Sequence, residues 1–178
     1  RWHDAVVANQ AAIAADNDYL ATCGPNAKGV YPLGYVPHNP HFLWFAASME
    51  GASKVAQDAA RTTAQRVNLP DLMRQPGFAG LQHYWMTPWF DNVRFGRWDE
   101  IRAVPNPAPD LPYVTAIWNY AQAMAAIRQG RMEDANTHYA ALSKLAAGPS
   151  MPILMVGDRY PLAHAANMAE RMLNAELA

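Results

Sequence analysis

The chain has little of what would announce a specific chemistry. Cys23 is the only cysteine among 178 residues, so an internal disulfide framework is excluded and the redox compartment stays open. No charge of one sign dominates. Lys and Arg number 14 against 15 Asp and Glu, which leaves no basic footprint for nucleic acid or an anionic membrane. No apolar run reaches the ~18 residues a membrane span needs. Val and Ile are sparse beside Ala, which disfavours sheet. Ser48, Ser53, Ser143 and Ser150 lack the G-x-S-x-G setting of a strained nucleophile. The run Gly24-Pro25-Asn26-Ala27-Lys28-Gly29 has the wrong order for a phosphate loop. Asp16 and Asp18 have neither Gly nor Glu at the places a calcium loop requires. Cys23 has no pattern of basic residues beside it, and reads as an unremarkable thiol.

What is present is apolar content and a recurring phrase. Half the residues are hydrophobic and 16% are charged, enough to bury a core. The phrase runs Arg1-Trp2-His3-Asp4-Ala5, Arg97-Trp98-Asp99-Glu100-Ile101 and Arg131-Met132-Glu133-Asp134-Ala135, with a looser copy at Ala52-Ser53-Lys54-Val55-Ala56. Gly51, Gly96 and Gly130 immediately precede the last three copies in chain order. Asp99 and Glu100, like Glu133 and Asp134, begin second helices, where acids favour the positive end of the helix dipole. Recurrence at tens of residues is the mark of a repeat protein. The first copy lacks its glycine and the chain begins at Arg1, so the expectation is a piece that starts inside a repeat of a longer protein. The compartment, cytoplasmic or periplasmic, is then left open.

Periodicity and breakers place the elements. A helix is expected over 2–15, then a loop over Asp16–Gly34. The next helix starts near Pro40, with Asn39 as its cap, and runs to Glu50. Residues 52–67 form its partner. A connector over 69–80 leads to a helix over 81–95 that Pro88 should kink. A short helix follows Gly96 and stops before Pro105, Pro107, Pro109 and Pro112. Helices over 112–129 and 131–147 and a final one over 161–177 complete the chain. The expected fold class is all-α, in a single domain over 1–178. Its hairpins fall at 38–67, 81–104 and 112–147, and Met168, Met172 and Leu173 of the last helix cover the third.

The phrase resembles the tetratricopeptide repeat (TPR). That repeat puts a small residue in its second helix and an aromatic four residues later, at a period of ~34. Gly130 leads to Ala135 and then Tyr139, a good match; Gly51 leads to Ala56 and Ala60; Gly96 leads to Ile101 and Pro105. The glycines are 45 and 34 residues apart, so one interval fits and the other carries an insertion. The stretch from His38 to Ala47 is similar to one in long bacterial TPR proteins of unassigned function. The resemblance implies a short right-handed α-solenoid and a scaffold for proteins or peptides, with no cofactor and no catalytic residue carried over.

In that family the first helix of each hairpin lines the concave face, thirteen, ten, six and three residues before the turn glycine. Here the resemblance implies His38, His41, Phe45 and Ser48, then His83, Met86, Phe90 and Val93, then Ile117, Tyr120, Met124 and Ile127. The set holds no Lys or Arg, so it cannot clamp a carboxylate. It suits an apolar or amphipathic segment. The contact residues singled out are Phe45, Met86, Phe90, Tyr120 and Met124, with His38, His41 and His83 at one end. Two alternatives stand beside this. One is a metal-binding protein or enzyme that uses His38, His41 and His83, because three imidazoles with an open position suit zinc, copper or nickel. The other is a structural segment whose groove is filled by the rest of its own protein.

Overall fold

Three glycines direct the path of this chain. In the computed structural model, which describes residues 1–23, 29, 31–157 and 159–178, Gly51, Gly96 and Gly130 have φ of 80°, 67° and 72°. That left-handed backbone costs other residues about 1–2 kcal/mol. Each glycine closes a helix in the same way. The following N–H reaches five residues back: Ala52 to the Ala47 carbonyl at 2.9 Å, Arg97 to Asn92 at 2.8 Å and Arg131 to Ala126 at 2.9 Å. This is the Schellman closure. The residue after each glycine also takes one shared conformation. Its φ/ψ is −77/68° at Ala52, −84/65° at Arg97 and −92/68° at Arg131. Its carbonyl then accepts the first bond of the next helix, from Ala56, Ile101 and Ala135. Arg1 and Ala5 make the same bond at 3.2 Å. Ala56, Ile101 and Ala135 are all buried. In its three later copies the recurring phrase is a backbone turn with a buried fifth residue; Ala5 of the first copy is half-buried.

The protein is all-α, with one two-residue β ladder among the described residues. The helices are α1 (Trp2–Cys23), α2 (Val36–Glu50), α3 (Ser53–Arg66), α4 (Pro70–Met73), α5 (Gly80–Trp85), α6 (Thr87–Arg94), α7 (Trp98–Arg102), α8 (Pro112–Arg128), α9 (Met132–Ala146) and α10 (Leu162–Leu177). β1 (Met155–Val156) pairs antiparallel with β2 (Tyr160–Pro161). The chain divides into two compact units, Arg1–Asn68 and Leu69–Ala178.

In the first unit, α2 packs between α1 and α3. α1 runs on through Asp16 to Cys23, past the expected end at 15. The reason is Asp16, which is 2% exposed and holds a structural place. Its carboxylate accepts from the Tyr31 hydroxyl at 2.6 Å and from the Asn39 amide at 2.8 Å. Asn39 is therefore spent on Asp16 and caps nothing; α2 begins earlier, after a π-helical turn over Tyr31–Tyr35. Pro40 lies inside α2, where it cannot donate to the Val36 carbonyl. Arg66 supplies the missing donor, Nη1 to that carbonyl at 3.4 Å, and binds Asn17 through Nη2 at 2.6 Å. The glycine–lysine stretch 24–28 lies outside the described residues.

In the second unit, α8 is the central helix. It packs on α9 and α10, and its inward residues Val114, Ala116, Ile117, Ala123 and Met124 join Trp89, Leu142, Leu162 and Leu173 in one core. The expected long helix over 81–95 is two helices that meet at Met86. Pro88 leaves the Tyr84 carbonyl without its helical donor, and the buried Thr87 hydroxyl donates to it at 2.7 Å. Asp91 is buried and ion-paired with Arg97 across the Gly96 turn. The final helix has the expected span but a different inner face. Leu162, Ala166, Ala169 and Leu173 are buried, whereas Met168 and Met172 are 61% and 52% exposed. Only Leu173 of the three residues expected to cover the last hairpin does so.

Candidate functional site

α2 has fifteen residues and one charge, Glu50. Its inner face is Val36, Pro37, Pro40, Leu43, Ala46 and Ala47, all buried. Helical periodicity would leave a polar outer face on an ordinary surface helix. Here the outer face is apolar as well. Tyr35, Phe42, Phe45 and Met49 are 60%, 48%, 44% and 41% exposed. With His38 they recur every three or four residues, and therefore lie in one stripe. The His38 ring is 4.2 Å from Phe42, and Trp2 of α1 meets Phe45 edge-on at 5.8 Å. The stripe thus continues onto the start of α1, where Trp2 is 41% exposed and His3 stands 3.5 Å from Glu50. Scattered exposed apolar residues need no explanation, but a contiguous row of them marks an interaction surface.

The expected groove residues fall in three different places. His38 and Phe45 are on the stripe. His41 is turned off it, its ring 5.3 Å from Trp44, and Ser48 is buried. The exposed face is therefore rotated toward Phe42 and Met49, which sequence reasoning passed over. In the second unit the residues are inward. Met86 is fully buried, and Ile117, Tyr120 and Met124 are buried with it. Phe90, Val93 and Ile127 pack half-buried against that core. Met86, Tyr120 and Met124 are core residues here and do not offer a contact surface. The physical cause for α8 is α10, which packs along it and ties Glu176 to Arg128 at 2.7 Å. Burial, and next the Glu176 carboxylate, raise the Tyr120 hydroxyl above its ordinary range.

The histidines serve separate local roles. His83 Nδ1 is 2.8 Å from the Tyr113 hydroxyl, and its ring lies 5.2 Å from Phe90. Burial holds this imidazole below its ordinary pKa and pushes the Tyr113 hydroxyl well above its own. His138 Nδ1 is 2.9 Å from Asn119 Oδ1, with Trp118 edge-on at 5.3 Å. His38 and His41 belong to the first unit and His83 to the second. Among the described residues no group of three or more His, Cys, Asp or Glu could hold a metal ion. No helix among them is long and apolar enough to cross a membrane.

Sequence reasoning also missed Asp16, which it placed in a loop. A carboxylate within an apolar helical pattern, with Tyr and Asn in reach across a turn, was the available signal. Comparison with protein-family models, curated proteins and solved structures gives no match to this chain.

Proposed function

We propose that this chain is a TPR-like repeat protein whose first unit binds an apolar or amphipathic segment of another protein. The observation that carries the reading is a charge-free stripe: exposed Tyr35 just before α2, and exposed Phe42, Phe45 and Met49 on α2, with half-buried His38 among them. An amphipathic helix laid along it would meet an anchor at each turn, and Met49 adapts to varied shapes. The repeat assignment draws support from the three turns that share one closure and one following conformation. The second unit plays a different part: α10 occupies the face of α8 that would otherwise line a groove. That observation favours a structural role for the second unit.

The test is direct. A labelled 18-residue amphipathic helix with a Leu/Phe face is titrated into the chain and followed by fluorescence anisotropy. Phe42 and Phe45 each hold back nearly half of an aromatic surface of about 200 Å². At about 25 cal/mol/Å² each ring contributes about 2 kcal/mol, or roughly thirtyfold in affinity. Phe42→Asp and Phe45→Asp should each cost at least tenfold while the helical circular-dichroism signal is kept. Affinity unchanged within twofold in both variants would remove the stripe from consideration.

A further inference from the structure

The second unit contains a cleft of about 420 Å³ between α8, α9 and the turn that follows α9. Its size is within the range of small-molecule sites. Ala141 and Leu145 form an apolar wall. The polar groups around it differ in what they can still do. Asn119 is 5% exposed and already engaged at both ends: one amide N–H donates to the Thr115 carbonyl at 2.8 Å, and its oxygen faces His138. The Thr115 hydroxyl proton is committed to the Leu111 carbonyl at 3.0 Å. Two exposed side chains retain donors, the Ser150 hydroxyl and the Lys144 ammonium, and Lys144 joins no ion pair among the described residues. The donors left at the cleft surface are therefore Lys144, on the same face of α9 as the apolar Ala141 and Leu145, and Ser150 in the turn that follows.

We propose that this cleft binds a small amphipathic anion, an apolar body bearing one carboxylate. The carboxylate sits at Lys144 and Ser150, and the body lies against Ala141 and Leu145. The site is independent of the α2 stripe and stands or falls without it.

The experiment titrates octanoate, and separately octanamide, into the isotope-labelled chain and follows backbone amides by NMR. Octanoate should shift Thr115, Leu145 and Ser150. Lys144→Gln should weaken it about two- to fivefold, the range of an exposed ion pair. Octanamide should bind the unaltered chain as weakly as octanoate binds that variant. Ala141→Trp should fill the cleft and abolish the shifts. Lys144→Gln is a surface change, so it tests the site even if the tryptophan variant fails to fold. Absent shifts at about 10 mM octanoate, ten times a millimolar Kd, would overturn the proposal. So would equal affinity for acid and amide, or shifts that survive in a folded Ala141→Trp chain.

Discussion

Removal of the Asp91 carboxylate should be the most damaging single change near a hairpin turn. Asp91 has a side chain 1% exposed, and that of its partner Arg97 is 19% exposed. The pair joins the last turns of α6 to the residue that starts α7, so it spans the Gly96 turn. Asp91→Ala leaves the guanidinium largely desolvated without its counter-charge, and such a loss costs about 3–5 kcal/mol. In a chain of this size each kcal/mol is worth roughly 2–4 °C in Tm, so the expected fall is about 6–20 °C. The assay is urea and thermal unfolding, followed by circular dichroism and tryptophan fluorescence. A double-mutant cycle then separates the pair from its surroundings. Asp91→Leu combined with Arg97→Met removes both charges. It should recover at least about 2 kcal/mol relative to the sum of the two single variants, because buried pairs exchange well for apolar residues. A single-variant cost under about 1 kcal/mol would refute the reasoning. So would strict additivity in the cycle, since each result means the pair is solvated.

Two further outcomes follow from the same structure. An added Cβ at Gly130 meets nothing within 4 Å, so Gly130→Ala should cost only the backbone strain of about 1–2 kcal/mol. Gly130→Asn should cost less, and equal urea midpoints for the two variants would contradict the left-handed turn. Burial lowers the His83 pKa from its ordinary 6.5, so below pH 6.5 the unfolded chain binds a proton that the folded chain refuses. Stability is then fully present above pH 6.5 and is lost as pH falls toward the depressed folded value. His83→Gln should remove up to about 1.4 kcal/mol per pH unit from that slope. Identical pH profiles of Tm in the two proteins would show that His83 titrates normally.

The hairpins were legible because glycine is the residue that can take the left-handed turn, and the phrase after each turn repeats. Gly51, Gly96 and Gly130 marked the breaks, and the prolines from 105 to 112 marked the long connection. The elements that sequence reasoning mislaid depend on partners distant in the chain. Asp16 stays helical because Tyr31 and Asn39 satisfy its carboxylate. Pro40 is tolerated inside α2 because Arg66 reaches back to Val36. Helical spacing offered two neighbouring stripes on α2, 38-41-45-48 and 38-42-45-49. Packing placed Ser48 inward and left Phe42 and Met49 exposed. The inner face of α10 was ambiguous for the same reason, since leucines and methionines occupy adjacent stripes.

Arg66 makes the first unit mechanically polar. One guanidinium at the end of α3 holds the start of α2 through Val36 and the later part of α1 through Asn17. The opposite end of the bundle is held differently, by Trp2 against Phe45 and by the solvent-facing His3 near Glu50. The Gly51 turn ties α2 to α3 at that end, so α1 should part from α2 more readily beside Trp2 than beside Asn17. The aromatic stripe runs along α2 from the Arg66 clasp toward the Gly51 turn. A partner seated on Phe45 and Trp2 would join α1 to α2 at the end the guanidinium does not reach, and should slow amide exchange at the start of α1.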